Sequence, residues 1–135
     1  IERQIAPGGD EVVIMSIGVA SVLALGLALL NRLLRLPLLS RLRDSQRDGF
    51  DIVISTSRNM RTHSGNIGKI NLHTLPLIVE WLSRHGVPCD ELHVGKPWCG
   101  TQGFYVDDKA VRPSEFLRYS LDDIAALLAN ERREA

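Results

Sequence analysis

The sequence predicts an α/β fold built on a parallel sheet, and three observations carry that expectation. Short apolar, β-branched runs at Asp51–Ile54 and Phe104–Val106 each stop abruptly at oxygen-bearing side chains. Segments with helical periodicity lie between and after them. Strand–helix–strand alternation of this kind marks βαβ units, whose strands run parallel. In open sheets of this type the loops at the carboxyl ends of strands converge on a crevice, which is where ligands bind.

The chain has 135 residues, one domain's worth and enough for a hydrophobic core. Its 16 basic and 16 acidic residues balance, so a broad footprint for nucleic acid is not expected. Two cysteines, Cys89 and Cys99, are too few for a disulfide framework or a sulfur-rich metal site. That fits a reducing, cytosolic setting.

Val12–Leu30 carries no charge. As a helix rising about 1.5 Å per residue it would span the roughly 30 Å hydrocarbon core of a bilayer. Asp10 and Glu11 precede it and Arg32, Arg35, Arg41 and Arg43 follow, which would leave the carboxy-terminal side in the cytoplasm. A cleaved signal peptide fits less well, because the basic residues lie on the wrong side. The competing reading makes Val12–Ser16 a buried strand and the remainder a helix covering a sheet. Residues 1–35 thus form an apolar amino-terminal segment, either a membrane helix or a displaced first strand plus helix.

Leu38–Asp48 has leucines on one side and charges on the other, an amphipathic helix stopped at Gly49. Asp51–Ile54 follows as a strand. Arg58–Asn71, with Ser64, Gly65, Asn66 and Gly68, reads as a long polar loop. Thr74–His85 opens on a capping hydroxyl, has Pro76 in its first turn and ends at Gly86; Leu77, Ile78, Trp81 and Leu82 form its apolar stripe. Glu91–Val94 and Phe104–Val106 are the next strands. Ser120 caps a last amphipathic helix over 120–135, with Asp122 and Asp123 in its first turn and Arg132 and Arg133 near its end, as the macrodipole favours.

Three groups stand at or just past the predicted strand ends: Thr56 between Ser55 and Ser57, Lys96 in Gly95-Lys96-Pro97, and the pair Asp107-Asp108. Each alone has an ordinary explanation. Thr56 can cap a turn, Lys96 can be a solvated charge, and adjacent aspartates commonly mark turns. Together they supply a hydroxyl, an ammonium and a carboxylate pair, the groups that suit a phosphate with a divalent metal. His63, His73, His85 and His93 lie at no metal-ligand spacing.

From about Leu36 to Tyr119 the chain resembles the haloacid dehalogenase-like (HAD) superfamily, in particular its small bacterial capsule-biosynthesis phosphatases. The resemblance rests on DIVISTSR at 51–58, GKPW at 95–98 and YVDD at 105–108, with the intervening loops. It implies a Rossmann-like (HAD-like) three-layer sandwich over 36–119, only partial here, and a Mg²⁺-dependent hydrolase acting on a small-molecule phosphomonoester such as a sugar phosphate. By the same resemblance Thr56 binds the transferred phosphoryl group and Lys96 steadies it. Ser55, Ser57, Arg58 and Asn59 line the substrate, and Asp107 and Asp108 hold Mg²⁺.

The first motif of that superfamily, a strand ending in Asp-x-Asp that supplies the nucleophile and the general acid–base, is absent. Counting back lands on Val12–Gly18, where Met15 and Ile17 take the carboxylate places. Neither can attack phosphorus or ligate magnesium. The chain as written is therefore expected to be inactive or crippled as a phosphatase. A shifted reading frame upstream would account for an unrelated segment before a faithful one. The alternatives are a membrane-tethered, non-catalytic phosphosugar- or Mg²⁺-binding module, cytoplasmic at the inner membrane through residues 12–30, and a fragment that needs a partner to supply the first strand. Oligomeric state is left open.

Overall fold

The structure, a computed structural model, describes residues 11–17 and 25–134. The chain divides into two compact units, one reaching to Trp98 and the other starting at Cys99.

The first unit is built on a parallel sheet of three strands in the order β1 (Val12–Ile17), β2 (Asp51–Thr56), β3 (Glu91–His93). β1 and β2 run in register from Val12 opposite Asp51 to Ile17 opposite Thr56, and Val53–Ser55 of β2 face Glu91–His93. Three helices belong to this unit: α1 (Leu25–Arg47), α2 (Ile67–His73) and α3 (Leu75–Arg84). The α/β class with parallel strands is thus as the sequence predicts.

β2 holds the core. Ile52 and Ile54 are fully buried and Val53, on the opposite face, nearly so. A strand buried on both faces reads as a continuous apolar run. Burying each such side chain contributes about 1.5–3 kcal/mol. Leu42 of α1, Ile70 of α2, and Ile78 and Leu82 of α3 complete this core. At the start of β2, Asp90 Oδ2 accepts from the Ile52 amide at 2.7 Å, and the Asp90 amide donates to the Ile52 carbonyl at 2.8 Å, which locks β3 beside its neighbour.

Both α1 and α3 end in the left-handed glycine turn that the sequence signals. Gly49 (φ +96°) lets its amide reach the Gln46 carbonyl while Phe50 reaches Ser45; Gly86 (φ +61°) does the same for Ser83 as Val87 reaches Leu82.

Several expectations are corrected. A single apolar helix over Val12–Leu30 does not form, because Val12–Ile17 pairs with β2 and satisfies its backbone in a sheet. Residues 1–10 and 18–24 of the 1–35 segment lie outside the described residues. No helix among the described residues is long and apolar enough to cross a membrane. The first strand is the chain's own β1, as the competing reading of Val12–Ser16 has it and not supplied by a partner, although Val12 and Ile14 are exposed and not buried. The loop expected over Arg58–Asn71 ends early, since the Asn66 side chain caps α2 by accepting from the Lys69 amide at 3.0 Å. On α3, Leu77 is exposed and the buried face runs instead through Thr74, Ile78 and Leu82, spaced by four.

In the second unit, Phe104–Val106 is not a strand. Phe104, Tyr105 and Val106 are all exposed, without the one-sided burial that holds a short strand in a sheet. Two helices follow, α4 (Pro113–Arg118) and α5 (Leu121–Glu134), with Phe116 buried on α4. The α4 helix escaped sequence reading. It begins at Pro113, with Glu115 accepting from the Arg112 amide at 2.7 Å. At α5, Ser120 Oγ accepts from the Asp123 amide at 3.1 Å, and Asp123 Oδ2 accepts from the Ser120 amide at 3.0 Å and from its hydroxyl at 2.7 Å.

Two outcomes follow from this packing. Ile54→Ala is expected to cost about 2–5 kcal/mol, read as a lowered urea midpoint, because the cavity opens in the centre of the sheet. The hydrogen bonds from the Ser120 side chain, then its backbone, hold the Asp123 carboxyl below its ordinary value. That stabilisation is present above the ordinary carboxyl pKa and is lost as pH falls through the lowered one. The melting advantage of the native chain over Asp123→Asn should therefore be seen at neutral pH and shrink in acid.

Candidate functional site

The carboxyl ends of β1 and β2 lie side by side, Ser16 beside Ser55 and Ile17 beside Thr56. Thr56 and Ser57 are both buried to within 3% of full exposure loss, whereas Ser55 is half-buried. The Thr56 hydroxyl oxygen accepts from the Arg58 amide at 3.1 Å, so its own O–H remains available to donate. The Thr56 carbonyl accepts from the Lys96 amide at 3.1 Å, which draws the loop after β3 against the end of β2. Lys96 then reaches across the strand ends, and its ammonium donates to the Ser16 hydroxyl. At the carboxyl end of the sheet the Lys96 ammonium therefore meets the Ser16 hydroxyl, while the Lys96 backbone is tied to Thr56.

Two loops hold this edge in shape. After β2, Met60 donates to the Ser57 carbonyl and His63 to the Asn59 carbonyl, closing a tight turn in which Asn59 adopts φ +60°. Asn tolerates that left-handed conformation better than most residues. Its Nδ2 is tied to the buried Thr74 hydroxyl at 2.7 Å. Thr74, expected to cap α3, makes no side-chain cap there and serves instead as the anchor for Asn59. After β3, Gly95 takes φ +82°, and a Cβ built on it would fall 2.5 Å from Ile67 Cδ1. The positive φ favours glycine, and any Cβ here would also push the tip of Ile67 aside.

The remaining expected residues are placed as follows. The Arg58 side chain is exposed beside the turn. Asp107 and Asp108 belong to the second unit, exposed in a turn where Asp107 Oδ1 accepts from the Lys109 amide at 2.8 Å. Among the described residues no three of His, Cys, Asp or Glu gather as metal ligands. His85 donates through Nδ1 to the Trp81 carbonyl at 2.8 Å and stacks on that ring, and His93 lies 2.9 Å from Glu91.

Ser16 is the residue that sequence reasoning missed. Met15 and Ile17 were expected at the critical places, but the side chain that meets Lys96 is the one between them. The available signal was its polarity: Ser16 is the only polar residue in Val12–Ile17.

Gly95→Ala should lower stability by about 1–3 kcal/mol, since it combines left-handed strain with a collision. Gly49→Ala, in open space, should cost only the strain, about 1–2 kcal/mol. Urea denaturation of the two variants checks the order.

No protein-family model matches the chain, and no curated protein matches it. The crystal structure of a target protein from Vibrio cholerae is similar to it, with 49% sequence identity and a TM-score of 0.74. The match covers 87% of this chain and 98% of that one, a larger share than residues 36–119 make up. At that identity and coverage the chain belongs to the same family as the Vibrio cholerae protein.

Proposed function

We propose that the chain is a HAD-like phosphatase relative that still binds a phosphomonoester but does not hydrolyse it efficiently. The fold in this reading is a Rossmann-like three-layer sandwich, the setting is cytoplasmic, and the ligand is a sugar phosphate of the kind used in capsule biosynthesis. The observation that carries the proposal is that Lys96 is bonded through its backbone to Thr56 and through its ammonium to Ser16 at the carboxyl ends of parallel β1 and β2.

A phosphate dianion at this edge would accept from the Thr56 hydroxyl and from the Lys96 ammonium, charge-assisted bonds about twice as strong as neutral ones. Ser55, Ser57 and Asn59 frame it, with Arg58 at the rim. Asp107 and Asp108 are the residues to which this reading would assign Mg²⁺.

Hydrolysis needs a nucleophile, and none of the candidates is equipped. The Ser16 oxygen accepts from Lys96, so the ammonium engages its lone pair instead of removing its proton. The Cys89 thiol is pushed up by burial, then by the neighbouring Asp90 charge, which keeps it protonated and a poor nucleophile. Met15 offers no acid or base.

Calorimetric titration with inorganic phosphate is expected to show binding to the native chain, weakened at least about tenfold by Lys96→Gln. Incubation with sugar phosphates and millimolar Mg²⁺ is expected to release no phosphate beyond the background. Absence of binding, or substantial release, would refute the proposal.

A further inference from the structure

We infer that the ligand carries a second anionic group, a carboxylate or another phosphate, and that Arg61 receives it. This rests on the phosphate-binding reading above and extends it to the class of ligand.

The two loops that build the sheet edge are free of acidic residues. No Asp or Glu occurs from Ile52 to Val79 or from Leu92 to Trp98, whereas Arg58, Arg61 and Lys96 lie in these loops and Lys69 on the adjoining α2. A surface of average composition alternates signs, so this excess of one sign raises the local concentration of anions. Elsewhere in the same unit Arg47 pairs with Asp44 and Arg84 with Glu80, while exposed Arg43 donates to the Gly86 carbonyl. Among the described residues neither Arg58 nor Arg61 has such a partner.

Arg61 is also positioned. Its guanidinium carbon lies 5.4 Å from the centre of the Trp98 ring. Arg61 follows Thr56 by one tight turn, and Trp98 stands two residues after Lys96, so the stack joins the two loops that carry the phosphate groups. Cation–π contact fixes the plane of the guanidinium while its N–H edge stays open, and that edge matches a planar carboxylate or two phosphate oxygens. One phosphate needs Lys96 and the hydroxyls. A neutral sugar attached to it would leave Arg61 without a partner, whereas an acidic sugar or a bisphosphate uses it. Nucleic acid, the other polyanion, fits poorly with a chain of zero formal charge and 5% aromatic residues.

The experiment compares inorganic phosphate, glycerol 1-phosphate, 3-phosphoglycerate and a sugar bisphosphate by calorimetry on the full chain at low salt. The two ligands with a second anionic group should bind about three- to tenfold tighter than glycerol 1-phosphate. Arg61→Gln should abolish that preference and leave inorganic phosphate binding as in the native chain. Arg61→Lys, which keeps the charge but not the planar fork, should retain only part of it, and circular dichroism would report that both variants fold. Equal binding of singly and doubly anionic ligands, or a preference that survives Arg61→Gln, overturns this inference and leaves the phosphate reading standing. No binding of any ligand overturns both. A single-stranded oligonucleotide that outcompetes every small ligand overturns it in favour of nucleic acid.

Discussion

The register between β1 and β2 is the constraint on which the site depends. Side chains alternate along a strand, so a slip of one residue would carry every side chain of β1 to the opposite face. Ser16 would then be replaced opposite Lys96 by an apolar neighbour, and the ammonium would lose its hydroxyl acceptor. What secures the register is modest in extent: six paired residues, extended by the Asp51 amide donating to the Glu11 carbonyl at 3.1 Å. β2 itself is held far more firmly, by three buried aliphatic residues and by Asp90. The edge is thus organised outward from β2, with β3 and its loop fixed by backbone bonds and β1 laid alongside.

Much of this could be seen in the sequence wherever one residue type has one physical role. Gly49 and Gly86 announced helix ends because only glycine takes the left-handed turn there cheaply. Ser120 with Asp123 announced a helix start because hydroxyl and carboxylate satisfy each other's amides. Thr56 and Lys96 were legible as a pair because both follow apolar runs. Failures came where a residue serves two structures equally well. Val12–Ile17 is apolar but for Ser16, and periodicity cannot separate a strand from a helix in so short a run. Asn66 looked like one more loop residue but is a cap, and Thr74 looked like a cap but is an anchor for Asn59. Phe104–Val106 has the composition of a strand, yet a strand also needs neighbours that cover it, and composition does not encode those.

The charge pattern adds a second level of organisation. The loops after β2 and β3 contribute cations without anions, while acidic residues stand at the other ends of the strands: Glu11 and Asp51 where β1 and β2 begin, Asp90 and Glu91 where β3 begins. Parallel strands make this separation possible, since all their carboxyl ends share one edge of the sheet. The resulting field favours anions at the edge that carries Thr56 and disfavours them at the opposite one.

Binding and turnover separate cleanly in this architecture because they draw on different segments. The groups that would hold a phosphate come from the loops after β2 and β3. Those loops are closed by Lys96 to Thr56, Arg58 to Thr56 and Asn59 to Thr74, bonds in which β1 takes no part. In the proposed reading an attacking group would come from the end of β1, where the chain offers a serine already hydrogen-bonded to the lysine. Replacing the sequence of β1 can therefore remove the chemistry while the cradle keeps its shape, provided the new segment still pairs with β2. Val12–Ile17, uncharged and largely β-branched, meets that one requirement, and in the proposed reading this lets an anion site persist beside a strand that carries no carboxylate.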